Sequence, residues 1–294
     1  MDCILSKIKK LAFFELQELN IEPVQAGLSH TSFVVETKLT KQKVFVKYFN
    51  HSESLTSFFN EIHKNKSLEN ILPKVLFSSD EFLITEYIND AIDLSRIDGK
   101  FAYFPSLFTQ LAKLHTNPVL PKSTTLNLDL AFEELIESLC INNSLSTMLE
   151  SIVDQILLSL SKQMNRNIRK VCCHGDLNYS NILIDRSKQL WIVDWESSAI
   201  APAEYDIAMF IAVNQITDQF DSILNTYHQY SPIKLDESLV SNYIAVCLLL
   251  NALWYLSKSK MQKSFLTLAN QQFELFDKHT RFEHELTLKM RQNV

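Results

Sequence analysis

The spacing of apolar positions changes near residue 90, and the predicted elements change with it. Before that point, short runs of branched and aromatic residues alternate with polar breaks: VQAGLS, SFVVET, KVFVKYF, then KVLFS and EFLITEYI on either side of SSD. Runs of this length bounded by turn residues predict strands. One helical segment interrupts them, SLTSFFNEIHKNKSLENI, residues 54–71. At the amino terminus, Ile4, Leu5, Ile8, Leu11 and Ala12 recur at helical spacing among lysines, which predicts an amphipathic helix and not a signal peptide. After Asp90 the period is helical almost throughout, in FPSLFTQLAKLHT, LAFEELIESL, TMLESIVDQILLSLSKQ, EYDIAMFIAV and two long carboxy-terminal segments. The pattern predicts an α+β chain: a small sheet-bearing lobe with one helix over residues 1–88, then a larger, mainly helical lobe over residues 89–294. Neither a Pro- or Gly-rich linker nor an internal repeat separates the two.

The exception in the second half is HGDLNYSNILIDRSKQLWIVDWE, residues 174–196, where NILID and QLWIVD read as strands of a hairpin. If Asp185 pairs with Leu190, then Ile184 meets Trp191, Leu183 meets Ile192, Ile182 meets Val193 and Asn181 meets Asp194. Opposed residues in a hairpin have Cα atoms about 4.5–5.5 Å apart, so this register sets an amide oxygen beside a carboxylate. The turn around Arg186, Ser187 and Lys188 lacks the Asn-Gly signal that would select a register. Oxygen donors so placed suit Mg²⁺, which is commonly held by one or two protein groups together with phosphates. Asp176, on the loop before Asn181, is then left to orient or deprotonate a nucleophile, a task that phosphoryl transfer requires.

Composition narrows the field. The chain has 294 residues, 46% hydrophobic and 21% charged, the balance of a folded globular protein. A net charge of −6 argues against a nucleic-acid or anionic-membrane partner and favours a neutral or cationic small molecule. The five cysteines, Cys3, Cys140, Cys172, Cys173 and Cys247, show no CxxC spacing and read as reduced thiols. The longest apolar stretch, Tyr243 to Leu256, falls short of the roughly 20 residues of a membrane span, so a cytoplasmic address is expected. Oligomeric state is left open.

HGDLNYSN followed by VDWE resembles the catalytic and metal-binding motifs of the aminoglycoside phosphotransferase and choline kinase superfamily, which has a two-lobed, protein-kinase-like fold. With GLSHTSF and FVKYF, the combination is most similar to the bacterial thiamine kinase and choline kinase branch. The resemblance implies that Asp176 is the catalytic base, that Asn181 and Asp194 are metal ligands and that His174 braces the loop. It also implies that Glu196 lies near metal or substrate and that Asp206 anchors the following helix to the catalytic loop; both equally read as surface or capping residues. His174, next to Val171, Cys172 and Cys173, also reads as a structural histidine.

Upstream, Lys47 sits inside an apolar strand, where a charge needs a partner. It is either an edge lysine reaching water or, as in kinases, a phosphate-binding lysine held by Glu61 of the next helix, with Glu53 and Glu69 on the same segment as alternatives. GLSHTSF contains one of only three glycines, so neither G-x-G-x-x-G nor a Walker A sequence is present. What remains to approach phosphates is the backbone around Gly27 and the hydroxyls of Ser29, Thr31 and Ser32. ITEYIND offers Glu86, Tyr87 and Ile88 as a hinge whose backbone could read an adenine edge, though it is also an ordinary strand end.

The expected activity is transfer of the γ-phosphate of ATP, with Mg²⁺, to the hydroxyl of a small cationic alcohol, thiamine first and choline second. A quaternary or ring nitrogen is best held by aromatic faces and acids, and Tyr179, Trp195, Glu196 and Trp254 are the candidates. Trp254 and the adjacent Tyr255 equally read as packing residues. The competing readings are an aminoglycoside or sugar-type phosphotransferase and a nucleotide-binding regulatory protein without catalysis.

Overall fold

A computed structural model describes residues 2–24, 31–49, 70–117, 125–139, 141, 143–164, 168–260 and 262–280. In chain order the elements are α1 (Asp2–Lys9), β1 (Leu19–Val24), β2 (Thr31–Thr37), β3 (Lys43–Tyr48), β4 (Val75–Ser78), β5 (Phe82–Glu86) and β6 (Ile92–Asp93). Then come α2 (Phe104–Thr116), α3 (Leu128–Leu139), α4 (Asn143–Met164), β7 (Lys170–Cys173), β8 (Ile182–Ile184), β9 (Leu190–Ile192) and β10 (Ala199–Pro202). Four helices close the described chain: α5 (Ala203–Val213), α6 (Phe220–Tyr230), α7 (Glu237–Lys258) and α8 (Ser264–Thr280). Contacts divide the molecule into two compact units, one made of the chain up to Asp98 together with Ser180–Glu196, the other of nearly all the rest. The sequence pattern set the boundary after residue 88 and left the hairpin with the helices; the contacts group that hairpin with the amino-terminal strands. Gly27, Ser29, Glu61, Cys140 and nearly all of the helix expected over 54–71 lie outside the described residues.

The first unit is built on an antiparallel sheet in the order β1-β2-β3-β5-β4. The first strand starts earlier than VQAGLS suggests and contains Pro23. Proline is tolerated there because β1 is an edge strand. Alternation along the strands creates two faces. Phe33, Val35, Val44, Val46, Phe82 and Ile84 form a core with Ile8 of α1 and with Phe14. The helix ends at Lys9, so Leu11 and Ala12 lie beyond it, and a short 3₁₀ turn over Ala12–Phe14 completes the lid on this face. On the opposite face Lys47 pairs across the sheet with Ser32 and Leu83.

The hairpin of the same unit corrects the expected register by one residue. Ile182 pairs with Ile192, Leu183 with Trp191 and Ile184 with Leu190. The cause is the turn. The Asp185 carboxylate accepts from the N–H of Ser187 (2.8 Å) and of Gln189 (2.9 Å), Asp185 N–H bonds the Gln189 carbonyl (3.0 Å), and Lys188 adopts a left-handed φ of 63°. A three-residue loop ending in a left-handed residue replaces the longer loop inferred from sequence. Asn181 therefore meets Val193, whose N–H donates to its carbonyl at 2.9 Å, and Asp194 lies one step beyond with φ 66°. Buried Ile182, Ile184, Leu190 and Ile192 share one face, and Ile192 N–H bonds the Ile71 carbonyl at 2.8 Å.

The second unit holds a ribbon that helical spacing did not reveal: β7 pairs antiparallel with β10, from Ala199 opposite Cys173 to Pro202 opposite Lys170. Next to it, α5 is buried from Ala203 to Ala212 and shows almost no polar face. A helix apolar all round belongs inside. The same holds for α7, started by Asp236, whose carboxylate accepts from the N–H of Ser238 (3.0 Å) and Leu239 (3.1 Å). At 22 residues and a mean hydropathy of 1.7, α7 is long and apolar enough to cross a bilayer, contrary to the sequence expectation, but 67% of that window is buried within the protein. It packs against α5 and α8 as a core helix. Cys172, Cys173 and Cys247 are free and buried, and burial pushes all three thiols well up.

Candidate active site

In the first unit, the pleat carries Lys47 away from the core, and its ammonium meets two carboxylates that lie 147 and 149 residues away in sequence. It bonds Asp194 Oδ1 and, at 2.5 Å, Glu196 Oε2. Only 12% of the Lys47 side chain is exposed, so the charge depends on these partners. Burial works against the ammonium, but the charges and hydrogen bonds of Asp194 and Glu196 outweigh it and raise the Lys47 pKa. Lys47 is thus a paired lysine and not one reaching freely to water. Ser32, its cross-strand neighbour, shares its face, whereas Thr31 points to the other side. Asn181 is buried and, with Asp194, supplies oxygen donors without sulfur or imidazole. Their chemistry fits Mg²⁺. Glu86 ends β5, with its carboxylate accepting from Lys74 N–H at 2.8 Å, and Ile88 follows half-buried.

Trp195 departs from the role expected of it. Trp195 is 1% exposed and its indole N–H bonds the Ile192 carbonyl at 2.9 Å, so it is a packing residue and offers no open face to a cation. Glu196 shares the Lys47 ammonium with Asp194, beside the metal-type donors.

In the second unit, the loop from His174 to Tyr179 is tied down at several points. The buried Asp206 carboxylate, on the first turns of α5, accepts from the N–H of His174 (3.0 Å) and Gly175 (2.9 Å). Gly175 has φ 81°, and a β-carbon there would stand 2.2 Å from the Ser197 carbonyl oxygen, so glycine is required. His174, fully buried, accepts the N–H of Asp176 on Nδ1 at 3.2 Å. Asp176 itself is half-buried, and the amide of Asn178 reaches both its oxygens at 3.1 Å.

Sequence reasoning missed His115, Tyr227, Asn178 and Asn214. His115, fully buried on α2, contacts Asp206 Oδ2 through Nε2 (3.0 Å) and the Tyr227 hydroxyl through Nδ1 (2.9 Å). Burial opposes ionisation of Asp206. The hydrogen bond and charge of His115, the charge of His174 and the Gly175 N–H overcome it and hold the carboxyl below its ordinary range. His115, Cys173 and Asp206 have ligand atoms close enough to suggest a metal site. The Cys173 thiol, however, is directed at the Ala201 and Pro202 carbonyls and is pushed far up, away from the thiolate a metal needs. A histidine at helical spacing from Phe108 and Leu111 was the available signal, because a buried imidazole demands partners.

Tyr179 and Trp254 belong to aromatic clusters. Tyr179 packs with Phe210 (5.8 Å) and Phe104 (6.4 Å), and the chain's own Lys100 stands over its ring at 5.1 Å. A substrate cation at that face would have to replace Lys100. Burial, then the charge of Asp218, pushes the Tyr179 phenol up to about 12. Trp254 meets Tyr255 (5.3 Å) and Phe265 (6.2 Å) edge to face, with Lys258 5.7 Å from its ring. Burial raises the Tyr255 phenol, and the charge of Asp176 adds to it.

A sheet lysine paired with acids beyond a hairpin, and a His-Gly-Asp loop bound to a buried helix, define a kinase-like fold. Solved structures sharing it include the choline kinase of Streptococcus pneumoniae, 19% identical with a TM-score of 0.70 over 95% of this chain and 97% of that one. Another is spectinomycin phosphotransferase in complex with ADP and spectinomycin, 15% identical with a TM-score of 0.62 over 99% of this chain and 98% of that one. At these identities the likeness is one of fold. The profile of the phosphotransferase enzyme family (APH) matches residues 20–233, and the chain belongs to that family. The Arabidopsis thaliana protein named "Probable choline kinase 3" is 26% identical over 240 residues, covering 76% of this chain and 66% of that relative's length, just under two thirds.

Proposed function

We propose that the protein is a small-molecule kinase that moves the γ-phosphoryl group of ATP to the hydroxyl of a cationic amino alcohol, with choline ahead of thiamine. The observation that carries this reading is the Lys47 ammonium bound to Asp194 and Glu196, because it gathers a phosphate-binding cation and metal-type oxygen donors in one unit. Lys47 is suited to neutralise phosphate oxygens through charge-assisted hydrogen bonds. Asn181 and Asp194 would hold Mg²⁺, which when bound offsets charge on the phosphates. Asp176 orients the acceptor hydroxyl and takes its proton, while Asn178 donates to its carboxylate and Asp206 and His174, by accepting backbone N–H groups, hold the loop that carries it. Choline kinase names among the relatives support an amino alcohol, and the net charge of −6 suits a cation. The reading also keeps the cytoplasm as the place of action.

The test is product formation from choline, ethanolamine, thiamine, a neutral tert-butyl isostere of choline and spectinomycin, each with Mg-ATP. Choline turnover well above that of the neutral isostere is expected. Asp176→Asn should lower turnover by about 10²–10⁴ while calorimetry still detects Mg-ATP binding. Preference for spectinomycin, or equal use of the neutral isostere, overturns the substrate class; a fully active Asp176→Asn overturns the assignment of the base.

A further inference from the structure

Asn214 caps the carboxy-terminal end of α5 with φ −89°. Its side chain makes three hydrogen bonds. Oδ1 accepts the N–H of Tyr179 at 2.8 Å, and Nδ2 donates to the carbonyls of Leu177 at 2.9 Å and Phe210 at 2.8 Å. The amide orientation follows from these partners, since the opposite flip would set an oxygen against two carbonyls and an amino group against an N–H. The contact with Phe210 satisfies a helix-end carbonyl, the ordinary work of a capping residue. The other two reach the backbone on either side of Asn178, the residue whose amide spans both oxygens of Asp176.

From this arrangement we infer that Asn214 is a positioning residue for Asp176, acting through Asn178. The inference rests on the reading of Asp176 as the base. Asp206, near the start of α5, holds the loop at His174 and Gly175; Asn214, at its end, holds it at Leu177 and Tyr179. One rigid buried helix thus grips the loop on both sides of Asp176. Fixing residues 177 and 179 fixes the backbone of Asn178, and with it the amide that restrains the carboxylate. Rotation of Asp176 is limited by a chain of bonds whose far end is the cap of α5. A capping residue alone would contribute to stability and leave the chemical step untouched, which makes the two roles separable.

The experiment is steady-state phosphorylation of choline by the full chain and by Asn214→Ala, Asn178→Ala and the double variant, with melting temperatures recorded for each. Each single change is expected to lower kcat up to about 100-fold, with the KM for Mg-ATP nearly unchanged, because misplacing a reacting group costs rate and not nucleotide affinity. The double variant should be no worse than the poorer single, the mark of two residues acting in series. Asn214→Asp keeps the acceptor to Tyr179 but sets an oxygen against the Leu177 and Phe210 carbonyls, so it should be no better than Asn214→Ala, whereas Asn214→Gln, which retains both donor and acceptor groups, should recover part of kcat and serves if the alanine variant does not fold. A normal kcat with a lowered melting temperature reduces Asn214 to a helix cap and overturns the inference, as do losses that multiply in the double variant. A wild-type protein that phosphorylates no alcohol in the panel overturns the functional reading instead.

Discussion

The chemistry of single residues here is set by partners far away in sequence. Lys47 looks like an ordinary strand lysine until Asp194 and Glu196 are brought to it, and Asp206 resembles a surface acid until its carboxylate is found under the loop. Asp206 also gives a pH signature. Its carboxyl ordinarily titrates at 3.8 and is held lower in the folded protein, so the unfolded chain takes up the proton first as pH falls. The stability it contributes is fully present above that ordinary value and is lost as pH drops through the lowered one. Asp206→Asn should therefore reduce stability at neutral pH and shrink the difference from wild type below about pH 4, read as urea midpoints along an acid series. Stability curves that stay parallel into acid would remove Asp206 from the acid limb.

At the level of elements, the β8–β9 hairpin shows how a turn decides a site. A one-residue change of register moves a whole strand relative to its partner. Here the Asp185 carboxylate, by collecting the N–H groups of Ser187 and Gln189, sets Asn181 opposite Val193 and leaves Asp194 beyond the paired strands. Lys188, at φ 63°, accepts a conformation that L-residues resist by roughly 1–2 kcal/mol. Lys188→Gly should relieve most of that strain, and after the entropy cost of glycine a net gain of up to about 1 kcal/mol is expected. Chemical denaturation measures it. An unchanged or lower midpoint would mean that the turn is not strained in this way. The Asn-Gly signal was missing from the sequence because the turn is closed by a side chain and not by glycine.

For the whole molecule, a ligand that binds only the folded state must stabilise it. If Asn181 and Asp194 hold Mg²⁺ for ATP, Mg-ATP at a hundred times its dissociation constant should add about 2.7 kcal/mol, a shift of several degrees in melting temperature. Asp194→Ala, checked for folding by circular dichroism, should lose most of the Mg²⁺-dependent part, and an equal shift in that variant would dismiss the metal assignment. The sequence by itself determined the elements with strong periodicity, such as α2 over FPSLFTQLAKLHT, together with the motif that marks the His-Gly-Asp loop and the family the chain belongs to. Those are local properties: apolar spacing encodes which face is buried, and the loop's chemistry is contiguous in the chain. Only the tertiary structure decided the burial of Trp195, the partners of Lys47 and the partners of His115 and Asn214. Each of these depends on contacts between distant segments. Asn214 had no signal at all, because an asparagine after a helix acquires its meaning from the backbone atoms that folding brings within about 3 Å of its amide.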